Sequence, residues 1–185
     1  MSGGEGLSAA PLAGSIESSF MLPGERTRGE EESERELIKS GLRSSWEVRP
    51  SVDYALNDHI SVGGELGLGW LGVLDDAEAG AARRFTLTPH ARLRMDFPLS
   101  CSLVLEGVMG VGFSTWGEAQ GVTERDGGAR HWGFSFRMSL GLRYLINTDV
   151  SALFGAGYLQ QELYQEDHTM SLRATPVTLG LRSAF

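Results

Sequence analysis

The sequence predicts an all-β fold in which eight antiparallel strands run up and down and close into a barrel. Side chains alternate between apolar and polar in eight separate segments, and the connections between those segments are alternately short and long. Glycine accounts for 25 of the 185 residues, with only 6 prolines and no collagen-like repeat, so the glycines belong inside folded structure. A period of two is that of a strand with two different faces.

Size and charge exclude several classes of protein. A chain of 185 residues is long enough for one ordinary domain. The net charge of −8 argues against a nucleic-acid-binding protein, which carries a basic surface. The single cysteine, Cys101, excludes an internal disulfide and a cysteine-cluster metal site. No run of 18 consecutive apolar residues predicts a transmembrane helix.

The eight segments follow one another along the chain. The first, within 12–22, is the weakest, with Ile16, Phe20 and Leu22 on its apolar side. Stronger alternation covers 42–56, 60–70, 85–97, 103–113, 132–144 and 177–185, and 150–158 alternates more weakly because Leu153 breaks the pattern. Short turns are expected at 57–59, 98–100 and 146–149, and long loops at 23–36, 73–83, 114–130 and 161–171. All long loops then lie at one end of a barrel that covers 12–185, and residues 1–11 are expected to be a flexible N-terminal segment.

Alternation alone leaves open whether the apolar face points inward, as in a soluble barrel, or outward, as in a membrane barrel. Aromatic residues on that face cluster near the two ends of the segments. This arrangement predicts two interfacial aromatic girdles, and so an outward apolar face. The expected girdle residues are Tyr54, Phe97, Tyr144 and Phe185 at the short-turn end, and Trp70, Phe85, Phe113 and Trp132 at the long-loop end.

The polar face carries nearly balanced charge, with six acids that include Glu17 and seven arginines. An enclosed interior requires such balance and favours arginine, whose planar guanidinium bonds several carboxylates. Ten glycines on the same face would leave room for these long side chains. We therefore expect a charge-paired lumen network in a transmembrane barrel, formed by Arg43, Glu47, Arg49, Asp53, Glu65, His90, Arg92, Arg94, Asp96, Glu106, Arg137, Arg143 and Arg182.

Two stretches resemble the small outer-membrane β-barrel superfamily of Gram-negative bacteria, which includes the OmpA transmembrane domain, OmpX and OmpW. Residues 54–63, Tyr-Ala-Leu-Asn-Asp-His-Ile-Ser-Val-Gly, are similar to its strand–turn–strand unit. Residues 178–185, Thr-Leu-Gly-Leu-Arg-Ser-Ala-Phe, are similar to its terminal strand, which ends in an aromatic residue read by the barrel-assembly machinery. The resemblance implies an outer-membrane location and contact with outer-membrane lipid and lipopolysaccharide. It also implies that Phe185 engages the assembly machinery.

The N-terminal residues lack the basic and apolar regions of a secretory signal, so we expect a mature form whose signal has been removed. The favoured role is a non-enzymatic envelope anchor, or a component of an outer-membrane assembly that meets an envelope protein through its loops or periplasmic rim. A narrow channel for small or amphipathic solutes and a soluble lipocalin-like carrier are the alternatives. No nucleic acid is expected as a partner.

No catalytic, cofactor-binding or metal site is predicted. The His59-Ile60-Ser61 spacing resembles the catalytic pair of outer-membrane lipid A deacylases, but it lies at the short-turn end, away from that substrate. His90 stands among Arg92, Arg94 and Glu106. One histidine beside arginines is a poor metal site, so a hydrogen-bonded lumen histidine is the favoured interpretation.

Overall fold

The computed structural model describes residues 12–29, 36–38, 42–73, 82–120, 131–165 and 168–184. Residues 1–11, for which a flexible segment is predicted, and Phe185 lie outside the described residues. The described part contains nine strands: β1 (Leu12–Gly29), β2 (Glu36–Ile38), β3 (Leu42–Ala55), β4 (Ile60–Val73), β5 (Ala82–Pro98), β6 (Leu103–Gln120), β7 (His131–Leu145), β8 (Val150–Gln165) and β9 (His168–Ala184).

Eight of these strands form a closed antiparallel barrel. Each long strand pairs with the next along the chain, and β9 pairs with β1 to close the sheet. The three-residue β2 pairs with Arg26–Arg28, beyond the part of β1 that pairs with β3. The prediction of an eight-stranded up-and-down barrel is confirmed. The described residues contain no helix that is long and apolar enough to cross a membrane.

Two of the short turns have the same construction. The Asn57 side-chain oxygen accepts hydrogen bonds from the backbone N–H groups of His59 and Ile60, at 2.9 and 2.8 Å. The Asn147 oxygen accepts from Asp149 and Val150 in the same way, at 2.9 and 2.7 Å. An asparagine that bonds its own turn in this manner fixes the short connections between strands.

The long-loop end differs from the prediction. Strands β1, β6 and β8 continue to Gly29, Gln120 and Gln165, so the predicted loops at 23–36, 114–130 and 161–171 are partly strand. The alternation reverses there: Leu159 and Leu163 point inward, and Gln160 points outward. A prediction that relies on one continuous apolar face ends each strand where the apolar side changes. The backbone pairing between strands nevertheless continues beyond that point.

The barrel has its apolar side chains outside and its polar ones inside. Ile16, Leu140 and Leu179 are about 60% exposed, at 61, 62 and 61%, whereas Arg49 and Arg137 are 0 and 1% exposed. A soluble carrier requires the reverse arrangement, so the lipocalin-like alternative is wrong.

The expected girdle aromatics that the structure describes are on the outer wall. Tyr54, Phe97, Tyr144, Phe113 and Trp132 are each more than half exposed. Trp70 packs edge-to-face on Phe85, with ring centroids 5.4 Å apart.

Candidate functional site: a closed polar lumen

The inward face collects the charged residues of β1, β3–β7 and β9. Twelve of the thirteen residues expected in the lumen have described side chains, and these are buried or nearly so. The remaining one, Arg43, pairs its backbone with Gly72, and its side chain lies outside the described part. With Glu17 included, the described lumen holds six carboxylates and six arginines, and every one of them lies in at least one ion pair.

A middle cluster is organised around Glu17 and Glu65. The Arg137 guanidinium lies 2.8 Å from Glu17 Oε2 and 2.7 Å from Glu65 Oε2. The Arg92 Nη1 atom lies 3.1 Å from Glu17 Oε1 and 3.4 Å from Glu65 Oε2. Two arginines thus bridge the same two carboxylates, which come from strands β1 and β4 on either side of β3. Such an arrangement ties β1, β4, β5 and β7 together across the lumen.

A second cluster lies nearer the short turns and is continuous with the first. Arg92 Nε is 3.1 Å from Asp53, whose other oxygen is 2.7 Å from Arg94. Arg94 in turn lies 3.2 Å from Asp96. Arg143 then joins Asp96 to Glu106, at 2.6 and 3.2 Å, and Arg182 lies 3.8 Å from Glu106. The chain of ion pairs therefore runs from the middle of the barrel to the rim at the short-turn end, which we call the lower end.

Glu47 and Arg49 form a third group on the long-loop side of the middle cluster. They pair at 2.6 Å, and Glu47 also accepts a hydrogen bond of 2.7 Å from Thr88 on β5. The intervening strand β4 contributes Gly67 at this point, and a Cβ there would overlap both the Glu47 carboxylate and the Thr88 hydroxyl. The missing side chain of Gly67 is what allows Glu47 to reach across β4.

His90 lies in a row that the strand register sets. Glu65, His90, Gly112 and Ser135 are direct partners on β4, β5, β6 and β7. His90 Nδ1 is 3.1 Å from Glu65 Oε1, and Nε2 is 2.8 Å from Ser135 Oγ. A Cβ at Gly112 would lie 2.9 Å from the His90 ring, so glycine leaves the gap that His90 spans.

Ser135, His90 and Glu65 follow one another in the order of a catalytic serine–histidine–carboxylate relay. A substrate, however, has no access to Ser135. Ser135 is 0% exposed and Glu65 is also held by two arginines. A nucleophile needs space for a substrate beside it. The arrangement instead satisfies the hydrogen bonds of a buried histidine, which is the role the sequence favoured for His90.

The other candidate sites do not come together. His59 is exposed in its turn, with Nδ1 3.1 Å from the Asp96 carbonyl oxygen, whereas Ser61 is buried and accepts a hydrogen bond from Arg94 at 2.8 Å. Among the described side chains, no group of three potential metal ligands is present. Cys101 is a free, exposed thiol.

An apolar cluster lies inside the barrel at the long-loop end. Leu159, Leu163 and Leu172 are 0% exposed and pack inside with Met21, Trp116 and Ala174. The Trp116 indole donates a 3.1 Å hydrogen bond to Gln161. We call these six residues the apolar plug. Met21 lies in the first predicted strand, Trp116 and Leu163 lie in segments predicted as loops, and Leu159, Leu172 and Ala174 lie between the predicted elements. The sequence signal for the plug is the reversal of the apolar side on β8.

Two small cavities lie among the described residues in the short-turn half of the lumen. Each measures about 10 Å³, and Glu17, Glu106 and Leu153 border both of them. A cavity of this size holds about one water molecule. Small spaces beside charged groups are expected in an eight-stranded barrel, whose interior is just wide enough for side chains to fill.

Many solved structures are similar to this barrel, and two of them are compared with it as follows. Neisserial surface protein A superposes with a TM-score of 0.63 at 11% sequence identity, over 96% of this chain and 99% of that protein. The outer membrane protein OprG from Pseudomonas aeruginosa superposes with a TM-score of 0.58 at 13% identity, over 96 and 97%. This chain has the fold of the small outer-membrane β-barrels. No protein family and no curated protein matches the sequence.

Within this outer-membrane barrel fold, Glu17 is the lumen residue that the sequence undervalued. It lies on the polar face of the weakest predicted segment and was not assigned to the network. It is 1% exposed and pairs with both Arg92 and Arg137. Its position in the alternation between Ile16 and Phe20 was the available signal.

Proposed function

We propose that this protein is a non-enzymatic integral barrel of the bacterial outer membrane that serves as an envelope anchor or as a component of an outer-membrane assembly. The observation that carries the proposal is the filled lumen, in which ion pairs span the lower and middle parts and the apolar plug fills the upper part. A barrel without a continuous internal path acts through its outer surfaces, its loops or its rim.

Its partners follow from this placement. Outer-membrane lipid and lipopolysaccharide surround the apolar wall, and the barrel-assembly machinery reads the terminal Phe185. An envelope protein binds the loops or the short-turn rim. The aliphatic residues Leu56, Leu99 and Ile146, one in each short turn, are 57, 56 and 56% exposed and supply apolar contacts at that rim.

Two measurements test the proposal. The purified protein, refolded in detergent, should migrate faster on a gel without boiling than after boiling, because the closed barrel is compact. Crosslinking of intact envelopes should capture a protein through the rim, and the triple variant Leu56→Ser, Leu99→Ser, Ile146→Ser should lose that capture while it keeps the fast migration. Stable monomers that form without any detergent would contradict membrane insertion.

A narrow channel is the second candidate, favoured by the two cavities between Glu17 and Glu106. In planar bilayers the channel requires discrete openings that change in Arg137→Ser. The anchor predicts that no channel openings are recorded, because balanced charges in a narrow interior have lower energy when paired than when they line a water path.

A further inference from the structure

The outer wall changes character between β7 and β9. On β7 every outward side chain from Trp132 to Tyr144 is apolar. On β9 the outward apolar run extends only from Val177 to Leu181, and Thr175 and Arg173 beyond it are exposed and polar. The apolar band is therefore several residues shorter on β9 than on β7.

Strand β8 shows where the change occurs. Gln160 and Glu162 point outward and pair directly with Phe136 and Phe134 of β7. Gln160 also pairs with Arg173 of β9. Inside, the neighbouring Leu159 and Leu163 are fully buried. This part of the wall has apolar residues inside and polar residues outside, the pattern of a surface that faces water.

The polar residues lie at the depth of apolar ones on the next strand. Partners on adjacent strands are about 4.8 Å apart, and strands in such barrels tilt by 35–45°, so Gln160 and Phe136 differ in depth by only about 3 Å. On β7 the apolar wall continues above Phe136 through Phe134 and Trp132. The apolar boundary therefore steps down from β7 to β8.

The polar side chains are held in a defined arrangement. The Tyr158 hydroxyl donates to Gln160 Oε1 at 3.0 Å, and the Gln160 amide donates to Glu162 Oε1 at 3.1 Å. These bonds orient the Glu162 carboxylate along β8. Arg173 is exposed on β9, where its backbone partners are Gln160 of β8 and Glu25 of β1, and no ion pair joins it to a described side chain. An exposed guanidinium is suited to two-pronged binding of a phosphate.

We propose that Gln160, Arg173 and Thr175 form a headgroup notch, a polar indentation in the membrane-facing wall that binds the phosphate-bearing headgroup of a bilayer lipid at the long-loop end. Arg173 binds the phosphate, Thr175 and Gln160 provide hydrogen bonds, and Phe134 and Phe136 contact the acyl chains. The notch rests on the membrane placement proposed above.

Depth measurements test the notch separately from that placement. Nitroxide labels at Thr175→Cys, Phe136→Cys and Leu140→Cys, each with Cys101→Ser, are compared in phosphatidylcholine vesicles. The label at 175 should collide with a water-soluble nickel chelate, and those at 136 and 140 with dissolved oxygen. If 175 is as protected as 136, the notch is wrong. If 140 is also open to the chelate, the membrane placement itself fails.

Lipid selectivity tests the role of Arg173. The probes are spin-labelled phosphatidic acid and phosphatidylcholine, whose association with the barrel is read from the motionally restricted fraction. Arg173→Gln should lower the preference for phosphatidic acid by about two- to fivefold, the range of an exposed charge pair. Thr115→Glu lowers the net charge by the same one unit at an exposed outward position of β6, away from the notch, and should retain the preference. An equal loss in both variants would show general charge attraction and overturn the phosphate site.

Discussion

The Glu47 carboxylate accepts a 2.7 Å hydrogen bond from the Thr88 hydroxyl, although strand β4 lies between β3 and β5. The bond forms because Gly67 leaves the path open. This relationship describes the lumen as a whole: long polar side chains reach past glycines to partners on distant strands. It also indicates where small substitutions will cost most.

Gly67→Ala should destabilise the barrel. A methyl group there overlaps the bonded Glu47 and Thr88, and overpacking of this kind costs about 1 to 3 kcal/mol. Gly64→Ala is the matched control, since it is exposed on the same strand and its nearest atom is the His90 carbonyl oxygen at 3.8 Å. Urea unfolding followed by the heat-modifiable gel band measures both. Equal midpoints would contradict the close approach at Gly67.

Arg92→Ala should be strongly destabilising. It removes one charge that pairs with Glu17, Asp53 and Glu65, and breaking a buried pair costs about 3 to 5 kcal/mol. Arg143→Ala should cost less, because that side chain is 13% exposed near the rim. The unfolding free energies in detergent check the order, and a parent-like stability for Arg92→Ala would show that the middle cluster contributes nothing.

Leu140→Arg tests which face meets lipid. Leu140 is 62% exposed in the middle of β7, so arginine there should cost about 2 to 4 kcal/mol in a bilayer. Leu56→Arg is a control of similar exposure, 57%, in a short turn, where the cost should fall to about 0 to 1 kcal/mol. Unfolding in phosphatidylcholine vesicles compares them, and equal costs would mean that the turn and the strand centre share one environment.

Leu163→Ala should leave a cavity in the apolar plug and cost about 2 to 5 kcal/mol, because Leu163 is fully buried. Leu179→Ala removes the same atoms from the outer wall, where 61% of the residue is exposed, and should cost much less. Thermal unfolding of the two variants in one detergent gives the difference. A larger loss for Leu179→Ala would contradict the packing of the plug.

Ser135 should remain unmodified when the folded protein is treated with a fluorophosphonate probe. The serine has the hydrogen bonds of an activated nucleophile but is 0% exposed. Mass spectrometry of the intact protein reads the result, with Ser135→Ala as the reference. Labelling that disappears in both Ser135→Ala and His90→Gln would indicate a working relay and reopen an enzymatic role.

Much of the candidate site could be read from the sequence because the lumen charges occupy alternate positions on strands with a clear apolar side. The ion-pair partners of these residues could not be read from the sequence. The partners of Arg92 are Glu17, Asp53 and Glu65, and none of them is close to it in sequence. Partners across a lumen depend on shear and on which glycines leave space, and neither is visible in a period of two.

The sequence by itself determined the eight strands, the inside-out placement of the faces and the balance of charge, because each of these is a local property repeated along the chain. Only the tertiary structure decided the upper third of the barrel. There Leu159, Leu163 and Leu172 turn inward and Arg173 turns outward. The backbone pairing between strands continues through this region. Apolar side chains face lipid in the rest of the barrel but pack in the apolar plug here, and the local alternation does not show where this change occurs.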